Sequence, residues 1–546
     1  MTATATHATM PTEIYLDGNA TTSVLPAAIA AAVDAMGQQF GNPSSSHSAG
    51  LRARAVLDRT RACAMRVLGV GAGRLMFNSG ATEGIQTAVL SALCALRERR
   101  ARGEATGELL VYGVTEHKAV PQSLEHWNRL LGLNLTLHAL PVHGDGRHDL
   151  AALRALAPRA ALVCTMAANN ETGVVSDLAG IEAVLTETAT SAYWLVDCVQ
   201  ALGKLPLALA HTRIDYAPFS GHKLYAPKGI GMLYVRDGAP YTPLIMGGGQ
   251  EAGLRSGTEN MAGIAALGAV LQALEQGGTY RSHAELATFR DRLAGSLRAA
   301  LPGIVFNHDF AASLPTTLNF SVPGISSRAL MDVFDAAGVR LSAGSACSAK
   351  VAAPSYVLVA MGVPDERASG AIRLSFGPLT DEATITAACA RIARCGAALR
   401  SGGLLLPDGV PAGRDGGATR NLPGVVARLL EGIASPADDG LRLAPAALGS
   451  FLQTHPDARL VDVREPSECA ATAGPAPGGR DALRVPLGQL DSQLDQWLRE
   501  ADVPLVFYCR SGNRSLQAAQ CLRQLGHQQA WSLDGGLALA SLALDA

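Results

Sequence analysis

Three observations predict an α/β layered fold followed by a separate α/β module. First, between residues 75 and 236 short apolar, β-rich stretches alternate with amphipathic helical stretches, the pattern of a largely parallel sheet covered on both faces. Second, 546 residues are too many for one ordinary domain. Third, composition shifts at residues 401–440, where thirteen of forty residues are Gly or Pro, against about five at average usage. That stretch reads as a linker, with a helix expected at 425–433.

The strands expected in the first part are LMF (75–77), LLVYGV (109–114), ALVCTM (161–166), YWLVD (193–197), IDYAPF (214–219) and GMLYV (231–235), with helices at 84–99, 119–131 and 180–189 between them. Residues 263–400 carry long helical stretches (264–275, 283–300) and then TTLNFSV (316–322) and AIRLSF (371–376), which reads as a smaller α+β domain. The module after the linker shows RLVDV (459–463), PLVFYC (504–509), a helix at 515–525 and AWSLDGG (530–536). The expected organisation is a large domain at 13–262, a small domain at 263–400, the linker at 401–440 and the module at 441–546. In such sheets, sites collect in the loops at the strand C-termini.

Composition narrows the function classes. With 48% hydrophobic and 17% charged residues and a net charge of −2, the chain is globular and gives no reason to expect nucleic acid or an anionic membrane as partner. No apolar run is long enough to span a bilayer, and the first ten residues lack the basic and apolar regions of an export signal. The ten cysteines are scattered without a C-x-x-C pair. No structural zinc, other metal or disulfide framework is expected, and a cytoplasmic location is.

Three places carry chemistry. Asp197 ends one strand and Lys223 follows the next; a carboxylate can hold a pyridine nitrogen protonated while an amine condenses with an aldehyde, the pairing pyridoxal phosphate requires. Beside them Gly80-Ala81-Thr82, between a strand and a helix, offers backbone N–H groups for a phosphate. Cys347 lies in SAGSACSAKVAAPSYVL, short of bulky side chains as a mobile loop would be, where exposure and a nearby cationic site would favour a thiolate. Cys509 ends PLVFYC and runs into Arg510, Ser511, Gly512, Asn513 and Arg514; a glycine turn and a helix start can wrap N–H groups around its sulfur while the arginines add positive charge.

Residues 13–377 resemble the cysteine desulfurases, fold-type I pyridoxal phosphate enzymes, in nine segments in the family's order: YLDGNATT (15–22), NSGATEG (78–84), TEHKAV (115–120), NNETG (169–173), VDCVQ (196–200), FSGHKLYAPKGIG (219–231), GGGQEAGLRSGT (247–258), SAGSACS (342–348) and AIRLSFG (371–377). The resemblance implies that Lys223 holds the cofactor and moves the substrate α-proton, Asp197 holds the pyridine nitrogen, Gln200 bonds the phenolic oxygen and His117 stacks on the ring. It implies Thr82, Ser220 and His222 for the phosphate, with Thr258 reaching over from a second subunit of a homodimer. Asn170 and Arg373 would hold the substrate carboxylate, and Cys347 would take the sulfur of L-cysteine as a persulfide, releasing alanine. Cys198 departs from the family's small or hydroxyl residue and reads as buried and inert.

The C-terminal module resembles a single-domain rhodanese through LVDVREPSE (460–468), VPLGQL (485–490), CRSGNRS (509–515) and LDGGL (533–537), which implies a second persulfide on Cys509. It departs at AGPAPGGRDALRVPL (473–487) and at Cys469, where an aromatic is common. The expected function is therefore a cysteine desulfurase that passes sulfur from Cys347 to Cys509 and on to an acceptor, such as an iron–sulfur scaffold or a protein of tRNA or cofactor thiolation. The alternatives are a selenocysteine lyase or other β-eliminating pyridoxal enzyme, with the module serving for docking. A phosphatase reading of the module is disfavoured, because only four residues separate Cys509 from Arg514 and the related phosphatase loop is one residue longer.

Overall fold

The computed structural model describes residues 13–343, 354–403, 405, 425, 440–471, 476–537 and 540. Cys347 lies outside the described residues, as do most of the expected linker and of its 425–433 helix. Among the described residues no helix is long and apolar enough to cross a membrane.

After a short strand β1 (Ile14–Tyr15), seven strands build one sheet: β2 (Arg74–Asn78), β3 (Leu109–Gly113), β4 (Thr136–Leu140), β5 (Ala160–Met166), β6 (Tyr193–Asp197), β7 (Tyr216–Ser220) and β8 (Gly231–Val235), in the order 2-8-7-6-5-3-4. Only β8 runs against its neighbours. The strand AALVCTM of β5 is buried along its whole length, as a central strand covered on both faces must be. Alternate residues feed opposite cores: Val163 packs with Trp194 and Phe77, Leu162 with Leu110 and Leu233. Strand β4 went unpredicted because it is an edge strand paired only with β3, and TLHAL leaves Thr136 and His138 exposed, without an apolar run.

Because β8 is the reversed strand, the C-terminal ends of β2, β3, β5, β6 and β7 open on one edge of the sheet. After β2, Gly80 (φ +150°) caps the helix Ala81–Ala101, with Glu83 in its first turn and Arg99 and Arg100 in its last, each of the sign the helix dipole favours. Two further helices, Pro26–Gly37 and Ser48–Val67, pack with Met261–Gln276 against the large sheet, so this last helix, which begins at the expected 262/263 boundary, lies on the large-domain side.

The next layer is an antiparallel sheet of β9 (Val305–Phe306), β10 (Thr317–Ser321) and β12 (Ile372–Ser375), while β11 (Val339–Arg340) pairs in parallel with β1. Helices His283–Ala300 and Glu382–Ser401 share its core; the first starts on a reciprocal Ser282–Glu285 capping box. The chain from Asp17 to Thr22 stitches the two sheets together. Asn19 donates its backbone N–H to Ser375 Oγ and its Nδ2 to Asn170 O and Thr317 Oγ1, and Thr22 Oγ1 donates to His222 O.

The C-terminal unit is an all-parallel sheet of β13 (Arg442–Leu443), β14 (Arg459–Asp462), β15 (Ala482–Arg484), β16 (Leu505–Tyr508) and β17 (Ala530–Leu533) in the order 13-17-16-14-15. Val461 and Phe507 pack on one face, Leu460 and Val506 on the other. Cys509 immediately follows the central strand β16, ahead of the helix Asn513–Gln524.

Candidate active site

Lys223 follows β7 on a short turn, and its Nζ donates to the backbone oxygens of Asn19 (2.6 Å) and Ala20 (2.7 Å). Asp197 ends β6 and is buried; its Oδ1 accepts the Val199 N–H at 2.9 Å. Burial raises the Asp197 carboxyl above its ordinary value, against the pull of that N–H, His117 and Lys223. The charged acid is thus costly there unless a cation stands beside it. His117 accepts the Ala119 N–H on Nδ1 at 3.2 Å, which leaves its proton on Nε2, and burial lowers its pKa.

On the adjacent strand ends lie the groups of the anion cradle. The Ser220 hydroxyl faces Gly80, where a Cβ would come within 3.6 Å of it, and Thr82 is exposed in the first turn beside Ala81. His222 Nδ1 meets Thr21 Oγ1 at 3.1 Å, and burial, with Lys223 and Lys228 adding repulsion, brings its pKa down to about 4. It is therefore neutral near pH 7. Thr258 is exposed and lines a separate cavity with Asn78, Ser79 and Arg255.

Arg373, on β12, is 2% exposed. Its Nη2 pairs with Asp17 Oδ1 at 2.7 Å and its Nη1 donates to Asn170 O at 3.0 Å, while buried Nε has no partner among the described residues. A planar cation with an unspent N–H beside Asn170 suits a carboxylate. Cys198 is buried, and burial pushes its thiol well up, which leaves it inert at neutral pH.

The aminotransferase class-V family model matches residues 14–387. The chain belongs to the class-V aminotransferase family. A cysteine desulfurase of Cereibacter sphaeroides is 40% identical over 374 residues, 68% of this chain and 92% of the relative. Among solved structures, a NifS-like protein shares 30% identity over 70% of this chain and 98% of its own, with a TM-score of 0.62. One solved in complex with cysteine, SspA, shares 27% identity over 68% of this chain and all of its own, with a TM-score of 0.57. A second model, the rhodanese-like domain, matches residues 446–540.

Enzymes of this desulfurase branch depend on pyridoxal phosphate, and the residues present fit it. Lys223 offers the amine, the raised Asp197 the acid that a protonated ring nitrogen would compensate, and the Gly80–Thr82 turn with Ser220 and His222 the phosphate site.

Two residues of the site escaped the sequence reading. Asn19, whose backbone oxygen holds both Lys223 Nζ and Gln200 Nε2, comes from a segment about two hundred residues away in the chain. Lys204 donates to Gln200 Oε1 at 2.6 Å and to Asn19 Oδ1 at 3.2 Å. That bond fixes the amide so that Gln200 presents its N–H₂ to the site, the group a phenolic oxygen requires. Burial, with repulsion from Lys223 and Arg373, brings Lys204 down to about 7. We expect Lys204→Met to leave Gln200 Oε1 buried and unpaired, a cost of about 1–3 kcal/mol, and to weaken cofactor binding roughly tenfold. Cofactor titration of the apoprotein by absorbance measures this, and unchanged affinity refutes it.

In the rhodanese-like unit, Cys509 Sγ accepts the Gly512 N–H at 3.1 Å and lies 3.7 Å from Ser515 Oγ. Gly512 (φ +85°) is required twice over: its backbone is left-handed, and a Cβ would meet Gly535 N at 2.8 Å. Arg514 forks onto Glu468 at 2.6 and 2.8 Å. Burial opposes the Arg514 charge, but the Glu468 carboxylate outweighs it and raises the guanidinium pKa. Around Glu468 burial is likewise outweighed, by Arg514, and its carboxyl falls to about 2. In place of the common aromatic, the Cys469 thiol packs 3.4 Å from Asp462 Oδ2.

Proposed function

We propose that the chain converts L-cysteine to alanine, captures the sulfur as a persulfide on Cys347 and passes it to Cys509, from which an acceptor protein of iron–sulfur assembly or thiolation takes it. The observation that carries this reading is that Lys223 and Asp197 lie at the strand ends of the large sheet, where the buried Arg373 of the smaller sheet reaches Asn170 O and Asp17. Pyridoxal phosphate supplies an electron sink when bound. Arg373 and Asn170 orient the substrate carboxylate, and the Lys223 amine, close above the sheet edge, takes the proton from the substrate α-carbon. Asp197 would keep the ring nitrogen of the bound cofactor protonated, Gln200 would donate to its phenolic oxygen and His117 would stack on its ring. A Cys347 thiolate then attacks the substrate sulfur: an S–S bond forms, the Cβ–S bond breaks, and protonation of the remaining carbon skeleton leads to alanine.

Both ends of the segment that carries Cys347 are tied to this site. Ser342 donates to Asp17 Oδ1 at 2.9 Å and pairs by backbone with Arg373; beyond the segment, Ser355 donates to Glu171 Oε2 at 2.6 Å and Tyr356 to Glu116 O at 2.8 Å. Cys347 stands four positions beyond Ala343, a reach of about 14 Å for extended chain.

We expect a pulse of L-cysteine to load persulfide on Cys347 and then on Cys509. In Cys509→Ser, alanine formation should persist with a strong thiol reductant, which can discharge Cys347 directly, while transfer to a protein acceptor falls at least about tenfold. Mass spectrometry of each cysteine reads the order; label on Cys509 in a Cys347→Ala variant given L-cysteine would overturn the relay.

A homodimer is part of the same reading. Ile29, Val33 and Met36 line one face of the helix Pro26–Gly37, and with Phe40, 71% exposed, they form an apolar stripe of the kind subunits bury. Phe40→Asp should weaken self-association by about tenfold or more, read by sedimentation, with an unchanged dimer constant as the refuting result.

A further inference from the structure

The loop that follows Cys509 faces another part of the same chain. Arg510 Nη1 pairs with Asp332 Oδ2 at 3.0 Å, Ser511 Oγ donates to Asp335 Oδ2 at 3.0 Å, and Asn513 Nδ2 donates to Asp335 O at 3.0 Å and to its Oδ2 at 3.2 Å. A fourth link joins Arg328 Nη2 to Glu468 Oε1 at 3.2 Å, on the carboxylate that Arg514 grips. Asp332, Asp335 and Arg328 all belong to one helix of the small domain, Ser327–Ala336. Positions 328, 332 and 335 fall at i, i+4 and i+7, so they present one charged face.

We infer that this helix face is a built-in docking surface for the rhodanese-like loop, which the loop must leave to exchange sulfur with a separate acceptor. The match is chemical as well as geometric. The loop is a cradle of donors, made for an anion on the Cys509 sulfur, and the helix supplies carboxylates and its last-turn carbonyl, the acceptors that cradle takes. Arg510, Ser511 and Asn513, which rim the sulfur, are all spent on the helix. Cys509 itself is fully buried. Sulfur exchange needs the incoming thiolate in line with the sulfur it attacks, so the rim has to open before an outside thiol arrives.

The position of the face gives the contact a second consequence. Asp335 also accepts from Arg340 on β11, and Ser342, two residues on, begins the tie that anchors the segment carrying Cys347. The helix end on which the loop docks is thus continuous with the root of the first sulfur carrier. This inference goes beyond the relay, since the contact stands whichever donor charges Cys509. Burial pushes the Asp332 carboxyl up to about 6, against the pull of Arg510, so the charged carboxylate depends on the partner that the docked loop brings.

The test is deuterium exchange of the full-length, cofactor-loaded chain. Asp332→Arg should raise uptake in peptides covering 510–516 and 327–336 on the order of tenfold, because local opening sets the exchange rate and the ion pair opposes opening. The near-isosteric Asp332→Asn should raise it in the same direction. The charge-swapped pair Asp332→Arg with Arg510→Asp should return uptake to the wild-type level. Cysteine-dependent alanine formation should be unchanged in the Asp332 variants, which shows them folded. Wild-type uptake rates at 510–516 in both single variants, or a swapped pair that exchanges like Asp332→Arg alone, would overturn the docking surface.

Discussion

Lys223→Ala should yield a protein that folds but retains no covalently attached cofactor and makes alanine from L-cysteine at least about a thousandfold more slowly, the scale on which a unit of covalent catalysis fails when its nucleophile is removed. Lys204, which shares Asn19 with Lys223, has its Nζ committed to Gln200 Oε1 and Asn19 Oδ1. The Lys223 amine, by contrast, is held on the Asn19 and Ala20 carbonyls at the mouth of the sheet edge. Removing it also lifts the repulsion that contributes to the low values of Lys204 and His222, so both should titrate higher in the variant. Borohydride reduction of the wild-type protein followed by peptide mapping decides the assignment. A pyridoxyl label on Lys204, or on any lysine but 223, would sink it.

The parts of this site that were legible in the sequence are those fixed by local pattern. Asp197 and Lys223 could be placed because each ends or follows an apolar strand, and the strand C-termini of a parallel sheet share an edge. Gly512 could be assigned to a turn because the loop joins a buried strand directly to a helix. What the sequence hid was tertiary. Asp17 and Asn19 act through bonds to Arg373 and Ser375, more than 350 residues away in the chain, and no periodicity encodes that. Lys204 reads as a surface lysine until the fold turns it onto Gln200. Arg373 sits in the run AIRLSF, where a strand-face arginine would ordinarily be solvated; only the pairing of β12 with β10 beneath the Asp17 segment buries it. The docking of Arg510 on Asp332 was likewise invisible, because both residues are ordinary surface types and meet only when two domains do.

Cys347→Ala should bind cofactor and substrate as the wild type does and yet lose alanine formation by about a thousandfold, since the residues proposed to hold the cofactor and the carboxylate all lie outside the loop while the proposed sulfur-attacking thiolate is gone. The anchors make this separation physical. On one side Ser342 is held by Asp17 and Arg373, on the other Ser355 and Tyr356 are held by Glu171 and the Glu116 carbonyl, so a side-chain change between them leaves both ties in place. Arg373→Ala should behave in the opposite sense: the clamp is lost, Asp17 keeps the Ser342 hydroxyl but loses its cation, and the KM for L-cysteine rises while Cys347 stays competent. The pair of variants therefore divides binding from sulfur attack. Absorbance spectra with L-cysteine should show substrate bound in Cys347→Ala at wild-type concentrations, while alanine analysis shows none released. Near-normal alanine release in that variant would mean that another group attacks the sulfur, and with Cys198 buried and inert the test would then move to Cys509.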